Sequence, residues 1–171
     1  MFVMGVDPGV SRCGYGVLEG QAGACRVVAA GVLTTPPGDP LPVRLAALAG
    51  DLRALVEEHH PEVVVVERVF FQVNARTAMS VGQASGLALA TAAEAGCEVA
   101  QYTANEVKQA VVGYGGAAKD QVQRMVQALL GLPEPPQPAD TADALALALC
   151  HLAVAPRLAR LRAAPGTGGR R

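Results

Sequence analysis

The sequence predicts an α/β domain built on a mixed five-stranded sheet with helices on both faces. Three short apolar segments near the amino terminus follow one another without room for helices, which is typical of an antiparallel meander. Further along, the four consecutive valines at 63–66 indicate a central strand that is covered on both faces, as in a parallel pair. Predicted helices separate the remaining strands, so the second half of the sheet should be parallel.

The antiparallel half comes first in the chain. Residues 2–7 (FVMGVD) form an apolar strand that a Pro-Gly pair stops, and residues 13–18 and 26–34 resume as the second and third strands. After a Pro-rich loop, leucines recur at helical spacing from 43 to about 60, and a proline ends this helix. The later elements are strands at 62–67 and 98–102 and helices at 75–95, 104–112, 119–130 and 140–154.

The length of 171 residues fits one domain, which we place at 1–155. Residues 156–171 contain arginine but no acidic residue, so we expect a basic, disordered tail. No apolar run reaches membrane-spanning length without polar residues, and the amino terminus lacks the basic region of a signal peptide. We therefore expect a cytoplasmic protein with no membrane partner. The four cysteines form no CxxC pair, which argues against zinc and thioredoxin-like sites.

The predicted helix at 75–95 is unusual because small residues surround it on nearly every side and its charged residues lie near its ends. A helix that is apolar all round must be buried all round. One side can lie on the sheet, and the other side needs a cover. A second copy of the chain, giving a homodimer through this helix, is the preferred cover, and other helices of the same chain are the alternative.

Two acidic residues stand at the ends of predicted apolar strands. Asp7 ends the first strand, and Glu67 follows the run of valines. Burying a carboxylate is unfavourable unless a positive charge compensates it. A strand-end acid that faces water would explain either residue alone, but two of them on neighbouring strands predict a shared cation.

Asp140 and Asp143 lie three residues apart at the start of the last predicted helix, so both project from one face. Helix capping explains this pair in isolation, because acidic residues favour a helix amino terminus. With Asp7 and Glu67, however, they supply four carboxylates, which suit Mg²⁺, or Mn²⁺ as a substitute, better than zinc. Two such ions can activate water and stabilise a leaving oxygen, so phosphodiester hydrolysis is the predicted chemistry.

Four segments in order, GVDPGVSRCGYGV, VVVVERVFFQVNARTAMSVGQASG, VKQAVVGYGGAAKDQV and DTADALALALCH, resemble the RuvC-type Holliday junction resolvases of bacteria. The resemblance extends from about residue 1 to 154. It implies a ribonuclease H-like fold and a homodimeric, metal-dependent endonuclease that nicks a four-way junction symmetrically on two strands. It also implies that Asp7, Glu67, Asp140 and Asp143 are catalytic, and that the branch-migration proteins RuvA and RuvB are partners.

Basic and aromatic residues within these segments are the predicted DNA contacts. Lys108 and Lys119 are the two lysines of a chain with twelve arginines, which favours phosphate contact by a compact charge, as the resemblance also implies, while two solvated lysines at helix ends are the alternative. Phe70 is favoured for stacking on an unpaired base, because the resemblance places an aromatic residue there. The full predicted set is Phe70, Phe71, Asn74, Arg76, Lys108 and Lys119.

Other functions stay open at this point. The same carboxylates would serve a ribonuclease H-like nuclease that acts on another nucleic acid, such as an RNA–DNA hybrid. A non-catalytic junction-binding module is a further alternative, but it would leave four acids without a purpose. Strands ending in Asp-Pro-Gly also begin the actin-like ATPases, which need a second phosphate-binding half and a considerably longer chain.

Overall fold

The structure is a computed structural model that describes residues 1–68 and 75–163, with only the backbone given at 75–77 and 161–163. Its strands are β1 (Phe2–Asp7), β2 (Arg12–Gln21), β3 (Ala24–Thr34), β4 (Val63–Glu67) and β5 (Glu98–Tyr102). Its helices are α1 (Leu41–His59), α2 (Ala75–Glu94), α3 (Ala104–Val112), α4 (Lys119–Leu130) and α5 (Ala139–Ala163).

The strands form one five-stranded sheet in the order β3-β2-β1-β4-β5. β2 is antiparallel to both β1 and β3, while β4 is parallel to both β1 and β5. The predicted mixed sheet is therefore confirmed, and its antiparallel and parallel halves meet at β1.

The last helix differs from its prediction. α5 continues to Ala163 instead of ending at 154, so residues 156–163, which we assigned to the tail, are helical. The segment after Pro156 is rich in alanine, leucine and arginine, which are strong helix formers, and these residues continue the helix past the proline. Residues 164–171, the rest of the predicted tail, lie outside the described residues.

Helices cover both faces of the sheet. α3, α4 and α5 pack on one set of alternate strand residues, which includes Val3 and Val65. α1 and α2 pack on the opposite set, which includes Met4. Because side chains alternate along a strand, Asp7 and Glu67 continue the first set and face the side of α3, α4 and α5.

Glycines in the strands let α5 lie directly on the sheet backbone. A Cβ atom added at Gly5 in β1 would overlap with the carbonyl oxygen of Ala144. One added at Gly14 in β2 would overlap with the carbonyl oxygen of Asp140. Because no side chain separates the two layers at these positions, the start of α5 comes close to the end of β1.

Among the described residues, α5 is also the one helix long and apolar enough to cross a membrane, although the sequence predicts no membrane-spanning segment. However, 56% of this stretch is buried inside the fold. α5 contacts four strands of the sheet as well as α3 and α4. Its apolar composition thus follows from its central position.

α2 is covered by the rest of the described chain on one side. Ala84 and Ala88 are buried, and α2 contacts α1, β4 and β5. On the opposite side Gly86 and Ala90 are exposed, and Met79 is 65% exposed. Within the described residues, helices of the same chain therefore supply only part of the cover that this small-residue helix needs.

Candidate active site

Three of the four predicted acids line one cavity at the ends of β1 and β4. These strands are parallel neighbours in register, so Asp7 and Glu67 leave the sheet side by side. Asp143 reaches the same cavity from the amino-terminal part of α5. The cavity has a volume of about 350 Å³, and Lys108 and Lys119 also line it.

Burial and mutual repulsion perturb the two strand-end acids. Burial raises the pKa of Asp7 from 3.8 to about 7, and the charges of the other three predicted acids add to this rise. Burial and the charge of Asp143 also raise the pKa of Glu67 above its usual range, while the two lysines oppose the shift. An aspartate with a near-neutral pKa indicates a cluster with more negative charge than its surroundings neutralise.

Lys119 is the direct partner of Asp143. Its Nζ lies 2.6 Å from Oδ2 of Asp143, and this hydrogen bond raises the pKa of Lys119. The lysine is the first residue of α4, so the start of that helix carries a positive charge into the cavity. Lys108, on α3, places a second positive charge in the same wall.

Asp140, the fourth predicted acid, has a different partner. Arg12, the first residue of β2, donates hydrogen bonds from Nε and Nη2 to Oδ2 of Asp140, at 3.0 and 2.8 Å. Asp140 is not one of the residues that line the cavity. The structure thus brings three predicted carboxylates together and pairs the fourth with an arginine at the side of the site.

The chain that carries this cavity is similar to a family of known proteins. Residues 3–151 match the sequence model of the family described as crossover junction endodeoxyribonuclease RuvC. The chain belongs to the RuvC family. The RuvC of Moorella thermoacetica is 51% identical over 156 residues, which cover 91% of this chain and 93% of that relative. The RuvC of Salinispora arenicola is 55% identical over 153 residues, which cover 89% of this chain and 87% of that relative.

A solved structure described as T. thermophilus RuvC in complex with Holliday junction substrate shares this fold. It is 40% identical in sequence and superposes with a TM-score of 0.86, covering 91% of this chain and 94% of that one. The predicted fold class, the resemblance to RuvC-type resolvases and the enzyme class, a DNA endonuclease, are therefore confirmed.

The donor set of this RuvC-family site fits a hard divalent cation. Asp7, Glu67 and Asp143 offer carboxylate oxygens in one cavity, and a bound cation would relieve their mutual repulsion. Within residues 1–68 and 75–163, no three acidic, histidine or cysteine side chains stand close enough together to hold one ion. Cation binding would thus require the carboxylates to move closer together than they stand in this structure.

The predicted DNA-binding residues divide into two groups. Both lysines line the RuvC-family cavity, where a phosphate can reach them. The other four fall outside the described residues, namely Phe70, Phe71, Asn74 and the side chain of Arg76. Their roles stay predictions.

Two side-chain contacts of the site were not predicted. The contact of Arg12 with Asp140 was not predicted. Alternate residues of a strand face the same side, so Arg12 shares with Gly14 the face of β2 that lies against α5. Tyr102, opposite Glu67 in the sheet, has its hydroxyl oxygen 3.0 Å from Nδ1 of His151 on α5. This buried contact joins β5 to α5, so His151 has a structural role.

Proposed function

We propose that this chain resolves Holliday junctions by hydrolysing phosphodiesters at the cavity of Asp7, Glu67 and Asp143, with Asp140 joining them when a cation binds. The observation that carries the proposal is a group of partly buried, mutually repelling carboxylates beside two lysines, in one cavity of a RuvC-family chain. The proposed cofactor is Mg²⁺, with Mn²⁺ as a substitute and two ions per site. Bound there, the ions would activate water and stabilise the leaving oxygen.

The residues of the chain supply the remaining parts of the mechanism. Asp7 and Glu67 present their oxygens from the ends of rigid strands, which keeps the geometry of the site constant. Asp7 must lose a proton before it binds a cation, because its pKa is about 7. Lys108 and Lys119 bind DNA phosphates and offset the repulsion between the acids and the DNA.

The direct test is cleavage of a synthetic four-way junction by the purified protein with Mg²⁺. We expect symmetric nicks in two strands, little cleavage of a linear duplex of the same sequence, and none when EDTA replaces Mg²⁺. An RNA–DNA hybrid in the same assay tests the alternative ribonuclease H-like substrate. Equal cutting of duplex or hybrid, or cleavage that persists in EDTA, would contradict the proposal.

The exposed side of α2 supports a homodimer. Gly86 and Ala90 are small exposed residues on this side, and Met79 adds a large apolar side chain that is 65% exposed. Small residues allow two helix backbones to approach closely, and a two-fold axis would place the same surface on both partners. Paired nicks also require two active sites, whereas one chain forms one cavity of this kind within its described residues.

Replacing Ala90 by arginine is expected to convert the dimer into a monomer. A long charged side chain on this surface would separate the two helices, and Ala47→Arg, at an exposed position of α1, is the matched control. Sedimentation velocity should show a monomer for Ala90→Arg and a dimer for the control and wild type. Paired nicking should fall with the dimer. A dimeric Ala90→Arg variant would refute this interface.

Replacing Lys108 by glutamine is expected to weaken junction binding by about three- to tenfold, because one phosphate contact is lost. The salt slope, meaning the steepness with which the logarithm of the binding constant falls with the logarithm of the salt concentration, should decrease by about one. Arg124→Gln is the control, since Arg124 pairs with Asp120 on the exposed surface of α4. Fluorescence anisotropy at several salt concentrations, without Mg²⁺, measures both quantities. An unchanged slope would show that Lys108 does not contact phosphate.

Partnership with RuvA and RuvB and a cytoplasmic location are further parts of the proposal that rest on family membership. The partnership is expected to appear as faster junction cleavage when purified RuvA and RuvB are present.

A further inference from the structure

Arg12 and Asp140 form an ion pair beside the cavity. Both Nε and Nη2 of Arg12 donate to a single oxygen of Asp140. The pair joins the first residue of β2 to the first turn of α5, across a separation of 128 residues in the chain. Asp140, one of the four acids on which the proposed function depends, is therefore bound to Arg12 in this structure.

The fold holds the backbone on both sides of this pair. Arg12 lies in the same alternation of β2 as Gly14, so its side chain faces α5. The backbone of Asp140 lies so close to Gly14 that a Cβ atom there would overlap with it. A change of partner for Arg12 or Asp140 is thus a matter of side-chain rotation, with the strand and helix left in place.

The ion pair is too exposed to contribute much to stability. The side chain of Arg12 is 50% exposed and that of Asp140 is 29% exposed. Ion pairs in such surroundings contribute about 0–1 kcal/mol, so breaking this one costs little. The buried contact between Tyr102 and His151 already joins α5 to the sheet.

A divalent cation and a DNA phosphate would each compete for one member of the pair. Carboxylate oxygens are preferred ligands of Mg²⁺ and Mn²⁺, and the planar guanidinium of arginine matches a phosphate group. A second arginine, Arg44, lies close to the start of β2, so Arg12 is not the one positive charge there. Arg44 donates hydrogen bonds to the uncharged hydroxyls of Ser11, at 2.6 Å, and Thr35, at 2.9 Å.

We propose that Arg12 binds a DNA phosphate beside the active site, and that Asp140 holds it until a divalent cation takes the carboxylate. The inference rests on the proposed function in one respect, namely that Asp140 binds the cation in the working site. Without a cation, Arg12 neutralises Asp140. With the cation bound, the guanidinium is released to the DNA, so cation binding and DNA binding are coupled through this exchange.

Two affinities of Arg12→Gln, both measured without cleavage, test the inference. Calorimetry gives the Mn²⁺ affinity of the DNA-free protein. Anisotropy gives the affinity for a four-way junction in Ca²⁺, which has the same preference for oxygen ligands. Arg12→Lys retains the charge, and Arg26→Gln is the control, because Arg26 pairs with Glu19 near the far end of the same hairpin.

The two affinities of Arg12→Gln are expected to change in opposite directions. Mn²⁺ binding should tighten by about two- to fivefold, because a competing positive charge is removed. Junction binding should weaken by a similar factor, with a salt slope smaller by about one. Arg12→Lys should keep most of the junction affinity, and Arg26→Gln should match wild type in both measurements.

A loss of both affinities in Arg12→Gln would indicate a structural role and overturn the inference, as would an unchanged value of either one. Junction cleavage by the wild-type protein tests the proposed function separately. If wild type cuts the junction while Arg12→Gln keeps both wild-type affinities, the proposed function stands and the exchange of Arg12 is refuted. A wild-type protein that fails to bind the junction would contradict both.

Discussion

Replacing Asp7 by asparagine is expected to lower junction cleavage on the order of a thousandfold while leaving junction binding intact. The amide keeps the shape of the side chain but removes an anionic ligand from the cavity that also holds Glu67 and Asp143. A loss of roughly 4 kcal/mol of transition-state stabilisation corresponds to this factor. Single-turnover cleavage of a labelled four-way junction at saturating protein measures it.

Junction binding by Asp7→Asn separates a catalytic defect from a folding defect. Without Mg²⁺ the variant should bind the junction as tightly as wild type or more tightly, because one negative charge that repels phosphate is gone. Cleavage within tenfold of wild type would contradict the proposed role of Asp7. So would activity of the variant in EDTA.

The same substitution is expected to stabilise the metal-free protein at pH 8. Burial raises the pKa of Asp7 from 3.8 to about 7, so the folded state binds this proton more tightly than the unfolded state. The resulting stability is fully present below the unfolded pKa and is lost as pH rises through about 7. Asparagine mimics the neutral acid, so urea denaturation should show a gain on the order of 1 kcal/mol at pH 8.

At a pH near the unfolded pKa of 3.8, wild type and Asp7→Asn should differ much less in stability. For wild type at subsaturating Mg²⁺, cleavage should rise with pH through about 7, because Asp7 must be deprotonated to bind the cation. A stability difference that does not change with pH would show that Asp7 titrates normally.

Replacing Gly5 by alanine is expected to destabilise the protein by about 3 kcal/mol or more. The added Cβ atom would overlap with the carbonyl oxygen of Ala144 in α5, and no side-chain rotation can move a backbone atom away. α5 would have to shift, which would also displace Asp143 from the cavity. Urea denaturation measures the loss of stability, and failure to obtain soluble protein is its extreme form.

Two other glycines provide a graded comparison for Gly5→Ala. At Gly16 an added Cβ atom would lie 2.7 Å from Cδ2 of Leu145, a buried side chain that can shift only by displacing its neighbours, so we expect a loss of about 1–3 kcal/mol. Gly50 is an exposed residue of α1, and no atom lies within 4 Å of a Cβ atom added there. Replacing it by alanine should therefore raise the free energy of unfolding by about 0.5–1 kcal/mol. Equal effects at Gly5 and Gly50 would contradict the proposed contact with α5.

Local sequence patterns were sufficient to predict the order of the strands and helices and the acids at the strand ends. The meander, the valine strand at 63–66 and the helices between later strands were all confirmed, because each depends on a local pattern of apolar residues. The positions of Asp7 and Glu67 followed in the same way. The end of α5 was not predicted correctly, because Pro156 indicates the end of a helix whereas the residues after it favour helix formation.

Which charged side chains meet depends on the packing of the helices on the sheet, and local sequence patterns could not predict it. Asp140 and Asp143 have the same local explanation, a helix amino terminus, yet Asp143 faces the cavity with Lys119 while Asp140 pairs with Arg12. The distinction depends on how closely α5 lies on β1 and β2, which their glycines set. Electrostatic energy depends on distance in space, and residues 128 positions apart share no local pattern that could encode that distance.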